Sequence, residues 1–205
     1  WTLSGLVMAL RPIDTVRGTD LRVPPSPLVL PTPAIPPRAV VPLTALSMEM
    51  QSGRAVWIAV FPGAARRADP VTGDWLPGVT AMEARGLAVA TYRPRPAVTG
   101  VTRSPADHPP LDLRRPRPAW QVAFADGAHV YVDADTGQVL ALRTRWWRFY
   151  DWMWGLHIMD LQERENSSHA WLIGFAGLAL VTTVLALVLL PLSARRRRST
   201  GRSAK

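Results

Sequence analysis

Residues Ala170–Leu192 form an unbroken apolar run, AWLIGFAGLALVTTVLALVLLPL, with no charged side chain in 23 positions. About 20 residues at a rise of roughly 1.5 Å cross the hydrocarbon core of a bilayer. The core helix of a soluble domain can be as apolar, but here Arg195–Arg198 follow almost at once. A cationic stop of that kind marks the cytoplasmic end of a membrane span. The pattern therefore predicts a transmembrane helix over 170–192 and a basic cytoplasmic tail over 193–205. Within the run Thr182 and Thr183 are the polar positions, and their hydroxyls can bond back to carbonyls one turn earlier. Asn166, Ser167 and Ser168 precede it as N-cap candidates.

Charge is distributed to match. The net charge is +9, yet residues 11–169 carry 18 Arg against 15 acidic residues, and the tail holds five Arg and one Lys with no acid. The excess sits where topology places it, so no nucleic-acid partner is expected. The chain has no cysteine, which excludes disulfides, thiolate metal sites, thioether-linked haem and cysteine nucleophiles.

The first residues, WTLSGLVMAL, are apolar and meet Arg11-Pro12. Ten residues are too few to span a bilayer. Residues 1–12 read as the end of a first transmembrane helix truncated ahead of Trp1. The alternative is a residual signal-peptide core, although no small-residue cleavage motif follows it. Two crossings with a cytoplasmic C-terminus put residues 11–169 outside, in the periplasm of a bacterial inner membrane.

Residues 24–42 contain eight prolines, which predicts an extended spacer within a linker over 13–43. Thr44–Gln51 reads as a short helix and Arg54–Phe61 as a strand rich in β-branched and aromatic residues. Gly73-Asp74 marks a turn. Over Thr80–Tyr92, Met82, Leu87, Val89 and Ala90 fall at helical spacing, Thr80 and Glu83 fit a capping box, and Pro94 stops the helix. A proline-dense loop over 94–118 encloses a short Val98–Thr102 strand. The clearest β signal is Ala119–Arg143: Trp120, Val122 and Phe124 alternate, Asp126-Gly127 turns, Val130–Val132 follow, Asp135-Thr136-Gly137 turns again, and Val139, Leu140 and Leu142 close. The expected fold is α+β, a small three-stranded antiparallel meander with one covering helix, in a domain over 44–145.

The order of the helix TAMEARGLAVATY, the strand AWQVAFADG and then HVYVDADTGQVLALR resembles the PepSY family. Its D-x-x-T-G turn is physically sensible, since Asp and Thr satisfy turn donors and Gly takes positive φ. The stretch 44–78 looks like a weaker, incomplete copy of the same unit. With its flanking apolar segments, the chain resembles PepSY-associated transmembrane proteins over nearly its whole length. The resemblance implies peptidase-inhibitor or chaperone-like binding roles.

Arg145–Leu161, RWWRFYDWMWGLHIMDL, is the aromatic maximum, with Trp146, Trp147, Trp152 and Trp154 beside Phe149 and Tyr150. Such rings favour the headgroup layer, so 146–169 reads as an interfacial helix. Arg148 with Asp151, and Asp160 with Arg164, stand at salt-bridge spacing. Some PepSY-associated membrane proteins resemble reductases that hold b-type haem on helix histidines and reduce ferric siderophores. That resemblance makes His157 and His169 candidate haem ligands. They are 12 residues apart, roughly 18 Å along a helix, so one haem could not use both from a single helix. His108 and His129 read as surface residues, and Asp126, Asp133 and Asp135 as turn residues without calcium-loop spacing.

Nucleotide-binding glycine motifs, a phosphate loop, H-E-x-x-H and G-x-S-x-G are all missing from the sequence. The reading is a non-catalytic periplasmic module for a membrane or periplasmic partner, with Trp120, Val122, Phe124 and the four tryptophans of the aromatic segment as interaction residues. The alternative is a haem-carrying electron-transfer subunit. A homodimer is left open.

Overall fold

The computed structural model describes residues 2–162, 164, 168 and 170–200, with side chains through Leu190. The chain forms two compact units. One joins residues 1–8 to 151–205, and the other is Ala9–Tyr150.

The larger unit is built on two antiparallel sheets. The first contains β1 (Ala45–Gln51), β2 (Arg54–Phe61) and β3 (Ala64–Ala68) in that order. β2 has the bounds read from the sequence. β1 corrects the expected helix over Thr44–Gln51. Leu and Met favour helices by propensity, but Leu46, Met48 and Met50 alternate, and the Ser52-Gly53 turn brings all seven residues into register with β2. Pairing with a neighbouring strand outweighs a weak local preference.

The second sheet runs β4 (Val98–Ser104), β5 (Ala119–Phe124), β6 (His129–Asp133) and β7 (Val139–Arg143). The meander thus has four strands rather than three, because the strand expected over 98–102 pairs with β5. Helix α3 (Ala81–Thr91) follows two short helical pieces, α1 (Thr2–Ala9) and α2 (Ile13–Arg17). Thr80 Oγ1 accepts the Glu83 amide at 3.2 Å, and Glu83 Oε2 accepts the Thr80 amide at 3.0 Å, so the capping box forms as read.

The contacting face of α3 matches the expected one at Leu87 and Val89 and departs from it at the exposed Met82 and Ala90. Ala84, Leu87 and Ala88 are buried against Val122, Phe124, Val130, Val132 and Leu142, while Met82 is 83% exposed. Small residues at 84 and 88 let the helix approach the sheet closely. Burial of each large apolar side chain here is worth about 1.5–3 kcal/mol.

The proline-rich arm is not a free spacer. Val23 N donates to Thr91 O at 2.8 Å and Arg93 N to Leu21 O at 2.9 Å, tying the arm to the end of α3. Further on, Ile35 N donates to Pro70 O and Trp57 Nε1 to Ile35 O, both at 2.8 Å. Proline sets the extended shape, but the non-proline residues between supply the backbone groups that dock it.

The Asp133–Gly137 turn joins these parts. Asp133 is fully buried, and its Oδ1 accepts the amides of Asp135 at 3.0 Å and Thr136 at 2.9 Å. Its Oδ2 lies 2.8 Å from the Arg117 guanidinium. Gly137 has φ +79, and a Cβ there would sit 2.7 Å from Gln51 Oε1. Gln51 Nε2 in turn donates to Thr136 O at 2.7 Å, bolting β1 to this turn.

The smaller unit contains the rest of α4 (Arg145–Ile158) and α5 (Ala170–Thr200). Among the described residues one helix is long and apolar enough to cross a membrane, over Ala170–Leu190. Thr182 Oγ1 bonds Leu178 O at 2.9 Å and Thr183 Oγ1 bonds Ala179 O at 2.7 Å, as read. The α5 backbone stays helical through Pro191 and the arginines to Thr200. α1 has eight residues, roughly 12 Å of helix. Asn166 and Ser167 lie outside the described residues.

Asp133→Ala removes both turn bonds and the Arg117 pair, and leaves the buried Thr136 amide without its acceptor. It is expected to destabilise the domain by about 1.5–3 kcal/mol. Urea unfolding of the full chain in detergent, followed by tryptophan fluorescence, measures this. Asp107→Ala, on an exposed pair with His108, should change stability by less than about 0.5 kcal/mol.

Candidate functional site

The interaction residues named from the sequence occupy three different environments. Val122 and Phe124 are 0% and 2% exposed under α3, and Trp120 donates its Nε1 to Val79 O at 2.7 Å. This is the covered face of the sheet, so Val122 and Phe124 hold the fold, while Trp120 packs against the same core and stays partly exposed. Trp146 and Trp147 are half-buried at the start of α4. The Arg11 guanidinium stands 4.7 Å from the Trp146 ring, and Arg143 stands 4.0 Å from the Trp147 ring. Trp152 and Trp154 are exposed.

His157 is half-buried in the smaller unit. Its Nδ1 lies 3.3 Å from Ser4 Oγ, and a Cβ on Gly5 would come 3.1 Å from its Cε1. That edge of the ring is therefore occupied by α1. His169 lies outside the described residues, as do the side chains of Arg195, Arg196, Arg197 and Arg198. Among the described residues no group of three His, Cys, Asp or Glu side chains is arranged to hold a metal ion. The expected Arg148–Asp151 spacing is resolved differently: Arg148 donates to the carbonyls of Gly127 and Arg143, and Asp151 pairs with Arg164 at 2.5 Å.

A polar cluster that sequence reading missed lies on the outer face of the second sheet. The loop between β4 and β5 crosses this face and inserts Leu113, which is 1% exposed, against Tyr131, Ala119 and Ala141. Beside it Asp112 Oδ1 accepts the Tyr131 hydroxyl at 2.5 Å, and Asp112 Oδ2 lies 3.3 Å from His129 Nδ1. Arg143 Nε donates to Asp112 O at 2.6 Å, and Arg148 stands 4.0 Å from the carboxylate. His129 Nδ1 is also 2.8 Å from Gln121 Nε2. One ring nitrogen cannot accept from Gln121 and donate to Asp112 at once, so the position of the imidazole proton selects the partner. Burial works to raise the Asp112 pKa, but the bonds from His129 and Tyr131 outweigh it and leave the carboxyl below its usual range. Burial and the same carboxylate push the Tyr131 hydroxyl up. Period-2 alternation would have placed His129 and Tyr131 on one face. Nothing local marked Asp112, which sits among prolines.

A second polar feature is an open cavity of about 300 Å³ lined by Arg11, Thr15, Asp20, Tyr92, Asp126, Thr144, Arg145 and Trp146, among others. Tyr92 donates its hydroxyl to Asp126 Oδ2 at 2.6 Å. Burial and this carboxylate raise the Tyr92 pKa, so its hydroxyl remains a donor.

In both clusters a tyrosine hydroxyl donates to a carboxylate, within a wider set of hydrogen bonds and charged side chains. Comparison with family models, curated proteins and solved structures gave no match.

Asp112 has a lowered folded pKa. Its bonds therefore contribute stability above the ordinary value of 3.8, and that stability is lost as pH falls through the lower folded value. Asp112→Asn is expected to cost about 1.5–3 kcal/mol at pH 7. The gap to the parent should close in unfolding curves taken progressively below pH 4. A gap that persists unchanged in acid would mean that the carboxylate charge is not the stabilising element.

Proposed function

We propose that the chain is a membrane-anchored, non-catalytic module of the PepSY type. It stands in a bacterial inner membrane with residues 11–169 on the periplasmic side and the C-terminus in the cytoplasm. Its partner is an extended segment of a membrane or periplasmic protein, taken up by strand addition to β1.

The observation that carries this reading is the edge strand β1 itself. Folded proteins blunt their sheet edges with bulges, prolines and charges. β4, at the edge of the other sheet, is broken between Val98 and Gly100 and flanked by Pro94, Pro96 and Pro105. β1 pairs with β2 over seven residues without a shift, and Ala45, Leu46 and Ser47 are exposed. It carries a single charge, Glu49. An edge of this kind accepts an extended peptide through backbone hydrogen bonds. The anchor is supported by the apolar helix Ala170–Leu190 and the arginines after it.

A photo-crosslinking residue at Ser47, in the full chain in its native membranes, is expected to give one discrete protein adduct. The same residue at the exposed Met82 should not give it. Absence of an adduct at Ser47, or identical adducts at both positions, would defeat the reading.

One contact favours a second reading. A ligand histidine is commonly held through its other ring nitrogen, as Ser4 holds His157 Nδ1. The reduced-minus-oxidised absorbance spectrum of the purified chain, expressed with ample haem, decides. The module reading expects a flat spectrum. A b-type signal abolished by His157→Ala would replace it with an electron-carrying subunit.

A further inference from the structure

We propose that the cavity between Arg11 and Arg145 binds the phosphoethanolamine headgroup of a membrane lipid. The inference rests on the membrane-anchored part of the function proposed above, and does not depend on strand addition at β1.

The cavity carries two cations, Arg11 and Arg145, and two anions, Asp20 and Asp126. A site with balanced charge gains little from a purely anionic ligand, because each carboxylate repels what each guanidinium attracts. It suits a zwitterion whose two charges are separated by a short linker. In this arrangement the phosphate pairs with Arg11 and Arg145. There Arg145 and Trp146 open α4, and the amides of a first helical turn have no acceptor within the helix. The helix dipole adds to the two guanidinium groups. The ammonium pairs with Asp20 and Asp126.

Local structure holds this arrangement. Thr144 Oγ1 accepts the Trp147 amide at 3.0 Å and fixes the start of α4. Gly127 has φ +78, and a Cβ there would lie 3.0 Å from Arg145 Cγ, so the missing side chain leaves room for the arginine stem beside Asp126. Asp126 is set by the Ala128 amide at 2.9 Å and the Tyr92 hydroxyl at 2.6 Å. A carboxylate has lone pairs beyond those two bonds.

A lipid is the favoured source of the headgroup because of where the cationic residues fall in the chain. Arg11 directly follows the apolar stretch 1–10, and Arg145 opens the aromatic segment 145–161. Interfacial arginines and tryptophans of this kind lie at headgroup level.

The test uses the delipidated full chain in detergent, titrated with short-chain phosphatidylethanolamine, phosphatidylcholine and phosphatidylglycerol and read by native mass spectrometry. The choline ammonium has no N–H to donate to Asp20 or Asp126, and the glycerol headgroup has no cation. The ethanolamine lipid is expected to bind about tenfold more tightly than either, the equivalent of one charge-assisted hydrogen bond. Arg145→Gln should lose binding of all three. Asp20→Asn should keep binding but lose the preference for ethanolamine. Equal binding of the three lipids by the parent chain overturns the proposal, as does a preference that survives both substitutions. Displacement of the lipid by an equal concentration of soluble glycerophosphoethanolamine also overturns it, assigning the cavity to a soluble ester. Should Arg145→Gln fail to fold, the exposed Asp20 still decides. If both variants remain in the membrane fraction and keep the Ser47 adduct, a lost lipid preference reports on this cavity alone.

Discussion

Asp133 is a fully buried carboxylate, and much of the larger unit converges on the turn it holds. Its Oδ1 fixes the backbone of Asp135 and Thr136, and its Oδ2 faces Arg117. A buried charge is tolerated only when it is paired and hydrogen-bonded, so the turn cannot loosen without exposing that cost. Three other parts of the chain are tied to this turn. Val79 N, just ahead of α3, donates to Ala134 O at 2.6 Å, and Ala134 N donates to Pro118 O at 2.9 Å. Gln51 reaches Thr136 O, and Gln138 Nε2 reaches Glu49 Oε2 at 3.1 Å. The entry to the helix, the end of the proline-dense loop and the edge strand β1 are thereby registered against one carboxylate.

The same economy explains how a loop rich in proline becomes an ordered part of the domain. Prolines cannot donate backbone hydrogen bonds, so the segment between β4 and β5 is anchored by side chains instead. Leu113 fills the apolar outer face, and Asp112 takes the Tyr131 hydroxyl and the His129 ring. Arg117 anchors the far end on Asp133. Likewise the 24–42 arm is held through Ile35 and Trp57, where one backbone amide and one indole suffice. In both segments the prolines limit the conformations of the free chain, which lowers the entropy lost on docking.

Edges and cavities are where such a domain can meet other molecules. Its apolar faces are used internally, by α3 on one side of the second sheet and by the Leu113 loop on the other. Facing outward are, among other groups, the backbone of the edge strand β1 and the charged side chains that line the cavity with Arg11 and Arg145. The two proposals above assign a peptide to the first and a lipid headgroup to the second, and both suit a module held beside a bilayer.

The sequence by itself determined the elements that depend on neighbours in the chain. The bounds of β2, the capping box of α3, the Asp126-Gly127 and Asp133–Gly137 turns and the Ala170–Leu190 helix were legible, because periodicity and turn chemistry act over a few residues. It misjudged β1, whose helix-favouring Leu and Met residues are overruled by pairing with β2. It also took Val122 and Phe124 for a docking face, since alternation reveals that one side of a strand is apolar but not what covers it. Only the tertiary structure decided that α3 does. The Asp112–His129–Tyr131 cluster, the Gln51 bolt to Thr136 and the Arg11–Arg145 cavity were invisible for the same reason. Each joins residues far apart in the chain, 85 positions in the case of Gln51 and Thr136. A polar side chain in a loop looks the same in sequence whether it faces water or a buried partner.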